Sequence, residues 1–177
     1  MRANDGLAAV EFAFIVPIFL ILLMGVTDLG QMLYAYYRLD QAVAAGSQYA
    51  ALNGGNVNST GGAALASSIA TIVANANGTA WAGDSIVVNN GPSVTVTNGA
   101  ATSGGTASNA DSCYCPTGSG SNLSWGTAMN CGASCPSSGE AGKFVTVAAT
   151  YNYVPLMRFY NFITNTTLSR TGTVETR

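Results

Sequence analysis

The chain has 177 residues, of which 48% are hydrophobic and 8% charged, against about 25% charged in a typical soluble domain. Six basic residues, a net charge of -2 and no histidine leave no basic patch to neutralise nucleic-acid phosphates. They also remove the side chain most used as general base, proton shuttle and metal ligand. Nucleic-acid binding is all but excluded, and few routes to catalysis remain.

The first strong element is the run Leu7 to Val26, LAAVEFAFIVPIFLILLMGV, with Glu11 as its one charge. About twenty apolar residues suffice for a helix to cross a hydrocarbon core of about 30 Å. Residues 7–26 are therefore expected to be a transmembrane helix, bent near Phe14 to Pro17 because proline removes an intrahelical hydrogen bond. MRANDG before it and Met24 to Asp28 after it offer no A-x-A cleavage pattern, so removal by signal peptidase is the weaker reading. Arg2 tips the orientation towards a cytoplasmic N-terminus.

The helix is expected to continue beyond the lipid over residues 27–52. Leu29, Met32, Tyr36, Leu39, Val43, Gly46 and Ala50 recur at alternating spacings of 3 and 4, a seam suited to packing on another surface. Asp28, Gln31, Arg38, Asp40, Gln41 and Gln48 fall largely off it, and Asn53, Gly54 and Gly55 supply the stop. Tyr34, Tyr36 and Tyr37 read as a membrane-interface belt, with contacts to other subunits as the alternative.

Residues 53–177 read as a small α+β domain. Ala63 to Ala76 carries Leu65, Ile69, Ile72, Val73 and Ala76 at helical spacing. Ser85 to Asn90 and Ser93 to Thr97 form a hairpin turned by Gly91 and Pro92. Residues 98–142 are mostly Gly, Ser, Thr, Asn and Ala, which predicts a long loop. Lys143 to Tyr153 and Thr166 to Glu175 alternate as strands, bridged by Arg158 to Ile163. The expected architecture is a long N-terminal helix, a second short helix and a small antiparallel sheet in an extracytoplasmic domain.

Cys113, Cys115, Cys131 and Cys135 all lie in the loop. Their C-x-C and C-x3-C spacing permits a four-thiolate zinc site on count but lacks C-x2-C knuckles. Outside the cytoplasm disulfides are the better reading, and Cys113 with Cys115 is the least suitable pair because one intervening residue strains the bridge. No metal site, cofactor or catalytic set is assigned. The acids Asp28, Asp40, Asp84, Asp111, Glu140 and Glu175 fall in no recognisable motif, and Trp81 and Trp125 read as local packing anchors.

Glu11 is the most informative residue, because an ionised carboxylate deep in hydrocarbon costs about 2.5 to 3.5 kcal/mol on insertion scales. One reading leaves it near the headgroups, favoured by the helix N-terminus. The other starts from Gly6, five residues earlier, where the polar start meets the apolar run. A short leader ending in Gly, followed by an apolar helix with Glu at its fifth position, resembles type IV prepilins. More narrowly, Gly6, Ala9, Glu11, Phe12 and Pro17, the Gly25 to Gly30 segment, Tyr34 and the small residues Ala42 to Ala51 resemble TadE-like proteins, minor pilins or pseudopilins of the tight-adherence (Tad, Flp) pilus. FVTVAATYNYVPL and LSRTGTVET are also similar to that family's closing strands.

The resemblance implies residues 1–6 as a leader, cut between Gly6 and Leu7 by a prepilin peptidase. It implies Glu11 compensating the new α-amine, in its own chain or a neighbour, during assembly. The implied partners are that peptidase, other Tad pilins, the inner-membrane assembly platform and the lipid bilayer. The implied location is the bacterial inner membrane or the pilus, and the implied role is pilus assembly and adhesion. The alternative is an uncleaved TadE-like envelope anchor that enters no filament.

Overall fold

The computed structural model describes residues 5–77, 83–156 and 166–176. Trp81 and the segment Arg158 to Ile163 lie outside them, as do residues 1–4 of the expected leader.

One helix, α1 (Asp5–Leu52), runs unbroken through Pro17. It ends where Asn53 caps it, the Asn53 amide group donating to the Tyr49 carbonyl at 2.9 Å. The Asn58 side-chain oxygen then accepts from the Thr60 and Gly61 amides at 3.0 and 2.7 Å, an Asx-type turn that launches α2 (Gly62–Asn77).

Five strands follow: β1 (Gly83–Val88), β2 (Ser93–Thr97), β3 (Ala100–Gly104), β4 (Lys143–Asn152) and β5 (Thr167–Thr176). They form one antiparallel sheet in the order β3-β2-β1-β4-β5. Both helices pack on the same face, α1 across β4 and β5 and α2 across β1 and β2. The α+β architecture is the expected one.

The core follows from two periodicities meeting. Alternate residues Ile86, Val88, Val94, Val145 and Val147 point from the sheet into Leu39 and Val43 of α1 and Leu65, Ile69 and Val73 of α2, all buried. Full burial of an aliphatic side chain of this size contributes about 1.5 to 3 kcal/mol. Close approach is set by glycine: a Cβ on Gly46 would stand 2.9 Å from Val73 Cγ2, and one on Gly172 would stand 2.8 Å from Ser47 Oγ.

Three expectations need correcting. The seam of α1 begins one residue early: Leu29 is 55% exposed, whereas Asp28, expected off the seam, is buried. The position facing the sheet end is lined by hydrogen-bond donors that a carboxylate satisfies and a leucine cannot. β1 ends at Val88, and the hairpin turn is made by Asn89 and Asn90 at φ 51° and 55°, since asparagine tolerates the left-handed region. The expected loop 98–142 begins with a strand, because Asn98 and Gly99 (φ 50° and 81°) turn the chain back to form β3 on β2. AATSG lacks the β-branched run that announces a strand.

The register also gives the domain two ends. Asp28, Tyr153, Gly83 and the Asn98–Gly99 turn lie at the end where α1 arrives. Residues 53–61, the Asn89–Asn90 turn and the 105–142 loop gather at the other, tied by Lys143 Nζ donating to the Val57 carbonyl (2.6 Å) and the Ser59 amide donating to Asp111 (2.8 Å).

Candidate functional site

The sequence places its functional features on α1, and the structure divides that helix at Asp28. Val10, Phe12, Phe14, Ile15, Ile18, Phe19 and the Leu20 to Met24 run are all exposed. From Ala9 the helix is long and apolar enough to cross a membrane, and none of its most apolar stretch is buried. Gly6 and Leu7 fall in its first turn, and Glu11 lies on the exposed half.

Among the described side chains, Asp28 is the first buried residue of α1. Its Oδ1 accepts from the Tyr153 hydroxyl at 2.5 Å and from the Leu156 amide at 2.9 Å, and its backbone carbonyl lies 2.9 Å from the same hydroxyl. Burial, then the hydrogen bond to Asp28, pushes the Tyr153 phenol up to about 12. Residues 125 apart in sequence are thus tied where the helix leaves the domain. Spacing gives no signal for this: Asp28 falls off the apolar seam, and Tyr153 only ends a strand pattern.

Further along α1, Arg170 of β5 stacks 4.4 Å over the Tyr36 ring and places Nε 3.1 Å from Asp40. Arg38 donates to the Ala76 carbonyl at 3.2 Å and lies 5.7 Å from the Tyr34 ring centroid. Tyr34 and Tyr37 are exposed while Tyr36 is half-buried, so the three tyrosines do not form one surface.

At the far end, Cys113 is bonded to Cys131 and Cys115 to Cys135, with Cα separations of 5.0 and 5.7 Å. Each link closes a loop of about 20 residues, worth about 3 kcal/mol in the chain-entropy model. Around them Met129, Ala133 and Ala141 form a second small core, and Trp125 sits edge-on to Tyr114 at 5.9 Å. Buried Asn89 pegs this loop to the sheet. Its amide group donates to the Ala110 and Ser112 carbonyls at 3.1 and 2.6 Å, and its oxygen accepts from the Phe144 amide at 3.2 Å.

The acids do not converge. Asp40 pairs with Arg170, Asp111 is held below the usual carboxylate range by the Ser59 amide, and Asp84 is buried in β1 with neither oxygen hydrogen-bonded. Burial raises Asp84 to about 6. Among the described residues no group of His, Cys, Asp or Glu is placed to hold a metal ion.

Residues 6–48 match the family model described as TadE-like protein. Over that segment, about a quarter of its length, the chain is similar to TadE-like proteins. The match covers nearly all of α1 and stops before α2 and the sheet. No curated protein and no solved structure matches the chain. That similarity is consistent with a Tad-pilus-associated, pilin-like protein, and the exposed apolar helix with two disulfides suggests a membrane-anchored, extracytoplasmic one.

Proposed function

We propose that this TadE-like chain is a minor pilin of a Tad-type pilus, held in the inner membrane by α1, cut after Gly6 and moved into the filament through the same helix. The observation that carries this reading is the exposure of α1 before Asp28 on a helix whose remainder is packed. A helix kept apolar and uncovered over that length needs lipid or the matching helices of other subunits. Cleavage makes Leu7 the first residue and puts Glu11 one helical turn from its α-amine, close enough to compensate it. Other Tad pilins, the assembly platform and prepilin peptidase are the partners in this reading, and the domain beyond residue 53 faces outwards to serve assembly and adhesion.

The test is the sheared-pilus fraction. Wild-type protein is expected there, and Glu11→Ala is expected to stay in the membrane with at least a tenfold loss from filaments. Equal amounts of both in filaments would contradict the role of Glu11. A second reading, an uncleaved envelope anchor, is favoured by the helix running from Asp5 through the Gly6–Leu7 bond. It predicts that the wild type is absent from sheared pili.

A further inference from the structure

Where α1 leaves the domain, β4 runs out into Tyr153, Val154, Pro155 and Leu156. This segment carries no charge, and its two aliphatic side chains point away from the core, Val154 58% and Leu156 62% exposed. Single exposed aliphatic residues are ordinary on a protein surface; here the position and the backbone bonding set them apart.

The Leu156 amide donates to Asp28 Oδ1 at 2.9 Å, which fixes the segment beside α1 only two residues beyond Val26, about 3 Å along the helix axis. On that same stretch of α1, Met24, Val26 and Leu29 are exposed. The apolar surface of the helix and that of the segment therefore meet at one level. Most of the segment's backbone donors are also occupied. Tyr153 N–H donates to the Thr166 carbonyl at 2.7 Å, Leu156 N–H to Asp28, and Pro155 has no N–H. Val154 is left as the one backbone donor of residues 153–156 without a partner among the described residues. Two amides tied back to the protein beneath outward aliphatic side chains, with Val154 N–H left to the headgroups, suit the boundary of the bilayer, where a fully dry unpaired polar group is costly.

We infer that the Val154–Leu156 turn is a second lipid contact, seated in the outer edge of the bilayer that α1 crosses and locked to that helix by Asp28. This rests on the membrane-anchored reading and deepens it. The anchor becomes two-point, so the domain stands at a fixed height and rotation over the membrane. Continuity with the exposed helix surface selects lipid as the occupant over a second copy of the chain.

The full chain, reconstituted into phosphatidylcholine and phosphatidylglycerol vesicles with or without bromine on shallow acyl carbons, reads the contact through tryptophan quenching. Leu156→Trp is expected to lose at least half of the emission it adds to that of the parent chain. Val154→Trp is expected to behave alike. Leu52→Trp, 87% exposed at the opposite end, is expected to lose none, and Phe19→Trp reports the span itself. Quenching at Phe19→Trp with none at either turn position would overturn the inference while leaving the anchor intact. No quenching at Phe19→Trp would overturn the membrane reading and the inference with it. If quenching at Leu156→Trp is absent at high protein density and appears only when the protein is diluted tenfold in lipid, the occupant is a second copy and the lipid contact is wrong.

Discussion

The two halves of α1 are one uninterrupted helix with opposite surroundings. Before Asp28 its side chains stand uncovered; after it Leu39, Ala42, Val43, Gly46 and Ala50 are packed against α2, β4 and β5. Polar content separates them in part, since Glu11 is the one charge of residues 7–26 whereas Asp28, Gln31, Arg38, Asp40, Gln41 and Gln48 follow. Packing completes the separation: Ala42, Gly46 and Ala50 let a sheet and a second helix approach, whereas Phe12, Phe14 and Phe19 keep neighbours at a distance suited to lipid tails or other helices. The boundary is marked by a buried hydrogen-bonded carboxylate, Asp28.

This contrast can be broken most strongly from the packed side. Leu39→Ala removes a fully buried side chain and is expected to destabilise the domain by about 2 to 5 kcal/mol, read as a lower urea midpoint. Leu22→Ala on the exposed half is expected to shift that midpoint by no more than about 0.5 kcal/mol. Comparable losses from both would mean that the halves are not distinct.

Acidity should act on the packed domain. The fold raises Asp84 from 3.8 to about 6 by burial, so folding favours its protonated form. The resulting stabilisation is fully present below about pH 4 and is lost as pH rises through about 6, amounting to about 3 kcal/mol between the limits. Asp84→Asn is expected to flatten this dependence in melts between pH 4 and 7; an unchanged pH profile would remove Asp84 as its cause.

At the boundary itself, Tyr153→Phe deletes the hydroxyl that donates to Asp28 and is expected to cost about 1.5 to 3 kcal/mol. The accompanying sign is faster amide exchange in residues 153–156, while the residues of α2 keep their protection. The smallest effect separates two glycines of one helix. Gly46→Ala forces a methyl against Val73 and Ile69 and is expected to cost about 1 to 3 kcal/mol, whereas Gly30→Ala, with nothing within 4 Å, is expected to be neutral or slightly stabilising.

Much of this molecule was legible in its residues because periodic patterns are local. The 3.6-residue spacing of Leu39 to Ala50 and the alternation in β4 and β5 place their elements nearly to the residue. β3 was not legible: it exists because Asn98 and Gly99 fold it onto β2, a partner effect that AATSG does not encode. The role of Asp28 was hidden for a related reason, since its donors come from residues 125 and more away, and a polar residue among apolar ones reads as outward-facing. The cysteines announced cross-links, but the choice between 113–131 with 115–135 and the nested alternative depends on how the loop folds back through the Cys113–Met129 and Tyr114–Gly142 bridges. Gly6, Leu7 and Glu11 enter the proposed processing through their order along the chain alone.

The mature N-terminus tests the pilin reading most directly. Intact-mass measurement of the protein from membranes of cells with and without prepilin peptidase should give a chain beginning at Leu7 in the first case and the longer, uncut chain in the second. The uncut chain in both, alongside normally processed pilins in the same membranes, would contradict cleavage after Gly6 and leave an uncleaved anchor in its place.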